Sequence, residues 1–407
     1  MRENLFSGVF NTLLTLAAIF FIVRFTYAAF PWFANGVWDA GSIRECRDIL
    51  AAAGKTTGAC FAVLVDRWDH LLFGFKYPAT DYWRPTLAFV LLLISAAPAL
   101  FSAYFPRKML ILTALYPFVA YWLVWGGTLW LPLAVLAAIL LTMAIFQFVT
   151  IKIDVSMRKV LAAVVGLLAT GYALGPVVAG LNSIIPLDLL VVPSRDMGGY
   201  MLCLILGTVC VSLSIPLGIL LALGRQSHMP LIKGVCVVFI EFIRGVPLIT
   251  LLFVANVMLA YFMPPQSNFD LILRVIIMIT MFSSAYIAEV IRGGLAALPK
   301  GQYEAADSLG LNYTQATQLI ILPQALKISI PGIVNVAVGL FKDTVLVSVI
   351  SMFDIVGMIR GPIQQSTDWI SIYWEVYLFA ALVFFVVCYG ISQYSQWLER
   401  RLATDHR

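Results

Sequence analysis

The chain has 407 residues, of which 61% are hydrophobic and only 12% charged, with a net charge of +5 and a mean hydropathy of +0.94. Soluble globular domains carry roughly twice that charged share, so an ordinary soluble protein is excluded and a polytopic membrane protein is predicted. The positive charges collect between apolar runs, where they set topology, and they give no ground for nucleic-acid binding.

Apolar runs near the roughly 20 residues needed to span a bilayer fall at 8–30, 86–105, 109–125, 128–149, 158–181, 199–223, 234–262, 271–292, 327–349 and 372–397. They predict an all-α protein of about ten transmembrane helices. The 109–149 stretch is the hardest to divide, because Gly126-Gly127 leaves almost no loop. The first run follows Met1-Arg2-Glu3-Asn4 and reaches Arg24 without a small-x-small cleavage site, so an uncleaved anchor is expected.

Lysine and arginine mark the inner side. With an inner start, the inside segments hold Arg2; Arg107 and Lys108; Lys152, Arg158 and Lys159; Arg225 and Lys233; Arg292, Lys300 and Lys327; and Arg400, Arg401 and Arg407. Beyond the first outside segment, the outer loops hold only Arg195 and Arg360. Both termini and the polar stretch around residue 304 are therefore expected inside. The first outside segment, 31–85, is the one extramembrane piece of any size, and Trp32, Trp38, Trp68 and Trp83 suit an interfacial belt.

Catalytic signatures are missing. Gly54-Lys55-Thr56 mimics the end of a phosphate-binding loop, but Ile49 stands at its first glycine position and no strand precedes it. His70, His228 and His406 are isolated, which points to neither a metal site nor a Ser-His-Asp arrangement. A non-enzymatic chain without a cofactor of its own is expected.

Ionisable residues in the runs are Glu241, Arg244, Arg274, Glu289, Lys342 and Asp343, a costly set that marks interiors or pathways. Glu241 and Arg244, spaced i,i+3, are expected to pair with each other. Lys342 and Asp343 diverge by about 100° on a helix and suit either a zwitterionic ligand or interhelical pairs such as Asp343 with Arg274. Asn256, Ser283, Ser284 and Thr344 offer hydrogen bonds to a ligand or to neighbouring helices. Arg244, Asn256, Ser283, Lys342, Asp343 and Thr344 are the pathway candidates. Gly245-Val246-Pro247 and Pro216 with Gly218 are expected to kink their helices.

The most telling stretch lies between Pro299 and Pro323: Lys300-Gly301-Gln302-Tyr303-Glu304-Ala305-Ala306-Asp307-Ser308-Leu309-Gly310, nine residues, then Ile320-Ile321-Leu322-Pro323. Good helix formers end at Gly310, suited to a left-handed cap, and Asn312 with Gln315 reads as an N-cap with its capping box. Two short helices joined by a glycine corner are predicted. Ala305 and Ala306 would let a partner approach, and Glu304 would fix register. On geometry alone, a docking knob and a loop lying on the headgroups are equal readings.

Glu304-Ala305-Ala306, three residues, Gly310, nine residues, Ile320-x-Leu322-Pro323 resembles the complete EAA loop of ABC importer permeases. Arg292-Gly293-Gly294, Lys300-Gly301-Gln302, Leu322-Pro323-Gln324-Ala325, Lys342-Asp343-Thr344 and Glu241-Phe-Ile-Arg244-Gly245-Val-Pro247-Leu248 resemble its polar amino acid (histidine/glutamate) branch. Val345 stands where that branch commonly has Ser, a departure that keeps the charge pair and lacks the hydroxyl. The resemblance covers roughly 195–400, and the first half is similar, by length and segment order, to the extension of the M-type permease of general L-amino acid transporters.

The resemblance implies two parts: 1–194, an extension of about five helices with the outside loop, and 195–407, a five-helix type I importer core with its coupling loop at 293–326. It implies a bacterial inner membrane location and an ATP-driven importer of L-amino acids. Its partners would be a second homologous permease, two ABC ATPase subunits that bind ATP and magnesium, and a periplasmic solute-binding protein. Glu304, Ala305, Ala306, Gly310, Leu322 and Pro323 would couple to the ATPase. An ion-coupled secondary transporter is the alternative. On the oxidising side of a bacterial envelope, Cys46 and Cys60, 14 residues apart in the outside loop, are expected to form a disulfide, with two free thiols as the alternative.

Overall fold

The computed structural model describes residues 5–152, 171, 174–258 and 270–403. Most of the expected 158–181 span, the end of the 234–262 span, and Arg2, Arg158, Lys159, His406 and Arg407 lie outside the described residues. The described residues are helical almost throughout. Among the described residues, seven helices are long and apolar enough to cross a membrane, or eight if one sharply bent pair is a single span.

The helix α1 (Val9–Ala34) has no buried residue. Three short helices follow: α2 (Ile43–Ala52), α3 (Ala62–Asp66) and α4 (Trp68–Phe73). Ser42 caps α2 by accepting the Glu45 amide at 3.2 Å, while Glu45 Oε2 accepts the Gly41 amide at 2.6 Å, which satisfies amide groups left open at a helix start. Next come α5 (Trp83–Leu100) and α6 (Leu110–Trp125). Gly126 and Gly127 both take positive φ, at +76° and +79°, and lead through β1 (Gly127–Thr128) into α7 (Trp130–Lys152). This settles the division at 109–149: glycine alone enters two successive left-handed positions at little cost. A short helix α8 (Leu174–Ile184) precedes β2 (Asp188–Leu189), which pairs antiparallel with β1.

The remaining elements are α9 (Gly199–Arg225), α10 (Pro230–Gly245), α11 (Leu248–Phe253), α12 (Leu271–Ala296), α13 (Lys300–Ser308), α14 (Tyr313–Ala316), α15 (Leu322–Asp343), α16 (Ile355–Met358) and α17 (Trp374–Ala403). The expected continuous span at 234–262 is not one straight helix. Val246 is extended at φ −109°, ψ 132°, as the residue before proline tends to be, and the chain turns by 102° between α10 and α11.

Two compact units result. One comprises Lys76–Met197. Its core holds Arg84, which is fully buried; its Nε donates to the Leu123 carbonyl at 2.7 Å and its Nη1 to that of Leu190 at 2.9 Å. These two carbonyls join the C-terminal turn of α6 to the irregular segment that follows β2, and Asp81 lies 3.6 Å from the same guanidinium.

The other unit comprises Met1–Phe75 and Gly198–Arg407. The compact units therefore divide the chain differently from the expected 1–194 and 195–407 parts: α1 to α4 group with the C-terminal half. The reason lies in residues 35–75, a cap built on a core of Cys46, Cys60, Val63 and Leu71 that is continuous with Ile355, Ile359, Trp369 and Val376. Cys46 and Cys60 are joined in a disulfide with Cα atoms 6.0 Å apart. The Cys60 amide donates to Glu375 at 2.9 Å, and Glu375 lies in the first turn of α17, where a carboxylate is favoured by the helix dipole. Gly199 completes the join: its φ is +62°, and a Cβ there would sit 2.7 Å from the Leu71 carbonyl oxygen.

Candidate functional site

The polar stretch folds as two helices with a glycine corner. The corner closes with three amide bonds, Leu309 to Ala305 at 3.1 Å, Gly310 to Asp307 at 2.9 Å and Leu311 to Ala306 at 3.2 Å, and Gly310 takes φ +70°, the left-handed position that ends a helix with glycine. Asn312 and Gln315 form a reciprocal capping box at 2.9 and 3.1 Å. Before α15 the chain widens into a π-helical turn at Thr317–Ile321. Pro323 lacks an amide proton, and a locally widened turn is one way a helix accommodates the missing bond.

The two alanines of the motif separate. Glu304 and Ala305 are exposed, whereas Ala306 is completely buried within the chain. The expectation that both alanines face a partner is corrected for Ala306, since on α13 adjacent residues point about 100° apart. Leu322 is half-buried and Pro323 exposed.

Gln324 holds α13 to α15. Its Nε2 donates to Gln302 Oε1 at 3.0 Å and to the Ile320 carbonyl at 3.0 Å. Both glutamines stand in the flanking motifs, but their pairing across 22 residues has no local signature. Gly293-Gly294 stays helical within α12. A Cβ on Gly294 would strike the Ser329 hydroxyl and lie 2.6 Å from the Ala325 carbonyl oxygen, so that glycine lets α12 and α15 approach closely.

Above the loop, five charged residues meet. Glu289 on α12 accepts from Arg292 Nε at 2.8 Å, and its other oxygen lies 3.4 Å from Arg225 of α9 and 3.8 Å from Arg244 of α10. Arg225 also donates to Glu241 at 2.8 Å. The expected Glu241–Arg244 pair is thus replaced by Glu241–Arg225 and Arg244–Glu289. Side-chain direction decides it: Glu241 faces the end of α9, while Arg244 lies over the Tyr286 ring of α12 at 5.6 Å.

The pathway candidates are scattered. Ser283 is buried, its hydroxyl donating to that of Ser214 at 3.2 Å, and Thr344 is fully buried, donating to the Phe341 carbonyl at 2.7 Å. Both hydroxyls are engaged in hydrogen bonds inside the chain. Asn256 donates to the Ile350 carbonyl at 3.4 Å and its own carbonyl accepts from Arg274 at 3.4 Å. Lys342 is exposed and Asp343 half-buried at the end of α15, where the chain tightens into a 3₁₀ segment at Thr344–Ile350. Among the described residues no salt bridge involves either, so the weighed Asp343–Arg274 pair does not form. Among the described residues no cluster of His, Cys, Asp or Glu could hold a metal ion.

These features define a polytopic all-α membrane protein with a built polar loop between two spanning helices. Residues 214–404 match the family described as the binding-protein-dependent transport system inner membrane component. The chain is 52% identical, over all of its length and 94% of the relative's, to a glutamate/glutamine/aspartate/asparagine transport system permease protein of Rhodobacter capsulatus. It is 36% identical, over 99% of its length and 92% of the relative's, to an inner membrane amino-acid ABC transporter permease protein of Escherichia coli. A crystal structure of an amino acid ABC transporter with histidines aligns with 50% of this chain and 92% of its own at 33% identity and a TM-score of 0.45. The chain belongs to the amino acid permeases of the ABC transporter family.

Proposed function

We propose that the chain is one permease subunit of an ATP-driven importer that carries acidic amino acids and their amides across a bacterial inner membrane. The observation that carries the coupling half of this reading is the exposed Glu304-Ala305 face on a helix fixed from behind by the buried Ala306 and by the Gln302–Gln324 bond. Such a surface is rigid, polar and specific, as a docking knob has to be. The substrate class is favoured by full-length similarity to a permease named for glutamate, glutamine, aspartate and asparagine.

In this reading ATP and magnesium are bound by two ATPase subunits, a second permease completes the pathway, and a solute-binding protein delivers the amino acid. Both termini and the α13 loop face the cytoplasm. Closure of the ATPases pushes α13, and because α13 lies between α12 and α15, both spanning helices move with it. Lys342 and Asp343 at the far end of α15, Asn256 at the α11 end and Arg244 are the pathway residues.

The test is uptake of the four amino acids by proteoliposomes holding the whole complex. Uptake that requires ATP, competes among the four and is lost in Glu304→Lys supports the reading. Uptake by the chain alone, driven by an ion gradient, overturns it.

A further inference from the structure

We propose that Glu289 is a positioning residue for transport, a shared carboxylate that reports the movement of α12 to α9 and α10. The inference rests on the coupling role of the α13 loop. Glu289 lies two turns before the end of α12 at Ala296, and only Ala297, Leu298 and Pro299 separate that helix from α13. Whatever displaces α13 therefore displaces Glu289.

The geometry around it is unequal in a telling way. One carboxylate oxygen is held by Arg292 of the same helix at 2.8 Å. The other lies between two arginines of different elements, Arg225 at 3.4 Å and Arg244 at 3.8 Å. Arg225 is already bound more closely to Glu241, at 2.8 Å. Arg244 is under-bonded: its Nε is buried without a hydrogen-bond partner, and its guanidinium lies over Tyr286, one helical turn before Glu289. With Arg225, Arg244 and Arg292 against Glu241 and Glu289, three cations meet two anions, so the cluster keeps one positive charge in excess and Glu289 is shared among all three arginines.

A small shift of α12 would move this second oxygen of Glu289 from one arginine to the other. That exchange is a discrete two-state element of the sort that carries coupling. Transfer to Arg244 would draw on the last turn of α10, directly before the 102° turn into α11, and so reach the segment that holds Asn256. Transfer to Arg225 would release it. Sequence spacing pairs Glu241 with Arg244 and hides this arrangement.

The experiment uses the complete transporter in lipid nanodiscs, with ATP turnover measured with and without the binding protein and glutamate. Glu289→Gln is expected to lower the ratio of stimulated to basal turnover at least about fivefold, the scale of ordinary coupling free energies, while the ATPase still co-purifies; Glu289→Asp is expected to restore part of it. An unchanged ratio in Glu289→Gln overturns the inference. Should that variant fail to assemble, Arg225→Gln, which takes away one of the two arginines between which the oxygen exchanges, is expected to produce the same loss, and a normal ratio there overturns it equally. Glu304→Lys run alongside separates the two ideas: if it too keeps a normal ratio, the coupling role of the loop fails; if it loses the ratio while Glu289→Gln keeps it, only the role of Glu289 fails.

Discussion

The indole nitrogen of Trp369 donates to the carboxylate of Asp66 at 2.7 Å, across 303 residues of sequence. Trp369 is fully buried, and Arg67 beside it reaches Asp66 at 2.9 Å and Asp368 at 3.8 Å. The cap of residues 35–75 is therefore held to the segment between α16 and α17 by a charge-assisted bond from a buried indole to an exposed carboxylate, which is stronger than a neutral one. Trp369→Phe keeps most of the apolar volume and removes the donor, and is expected to cost about 1–3 kcal/mol. A lowered midpoint of cap release, followed by limited proteolysis at 51–57, is the readout; an unchanged cleavage rate would count against it.

The disulfide is a second tether within the cap. Closing a loop of this length contributes about 3 kcal/mol in the chain-entropy account, and Cys60 passes the restraint to Glu375 through its amide. Cys46→Ala with Cys60→Ala is expected to loosen the cap by that order without changing assembly with an ATPase. Mass spectrometry of the alkylated wild type before and after reduction checks the bond, which should release two further reactive thiols.

The two motif alanines are expected to behave differently. Ala306→Leu forces bulk into a filled site, and overpacking of this kind costs about 1–3 kcal/mol, so the isolated chain should lose thermal stability. Ala305→Leu adds bulk to an exposed surface and should leave that stability alone while weakening co-purification of the ATPase. Equal effects of both on the isolated chain would show that the surfaces have been misassigned.

Asp354 introduces a pH dependence. It is fully buried and caps α16 through the amides of Val356 at 3.1 Å and Gly357 at 3.0 Å. Burial raises its carboxyl to about 6, against which the two amide bonds and Arg360 pull downward. A carboxyl raised in the folded state favours folding when protonated, so its contribution is complete below the ordinary value near 4 and is lost as pH rises through about 6. Thermal stability is expected to rise as pH falls from about 6 to about 4, and Asp354→Asn is expected to flatten that slope. A slope unaltered by the substitution would place the titration elsewhere.

Much of the candidate site was legible because its signals are local. Gly310 at a left-handed corner, the Asn312–Gln315 box and the interruption at Pro247 each depend on residues within four positions of one another, and backbone sterics and short-range hydrogen bonds act over that span. Arg84 went unread, since a buried guanidinium bound to the carbonyls of Leu123 and Leu190 looks in sequence like an interfacial arginine. The Gln302–Gln324 bond went unread for the same reason.

The sequence by itself determined that this protein lives in a membrane, where its polar loop falls and which transport family it resembles, because composition, hydropathy and motif spacing are properties of the chain. Only the tertiary structure decided which charges pair. Glu241 chose Arg225 over the nearer Arg244, and Ala306 turned inward while Ala305 turned out, because pairing and burial depend on the depth and rotation of whole helices against one another. Those are set by the packing of every contact at once, and no short stretch of sequence carries them.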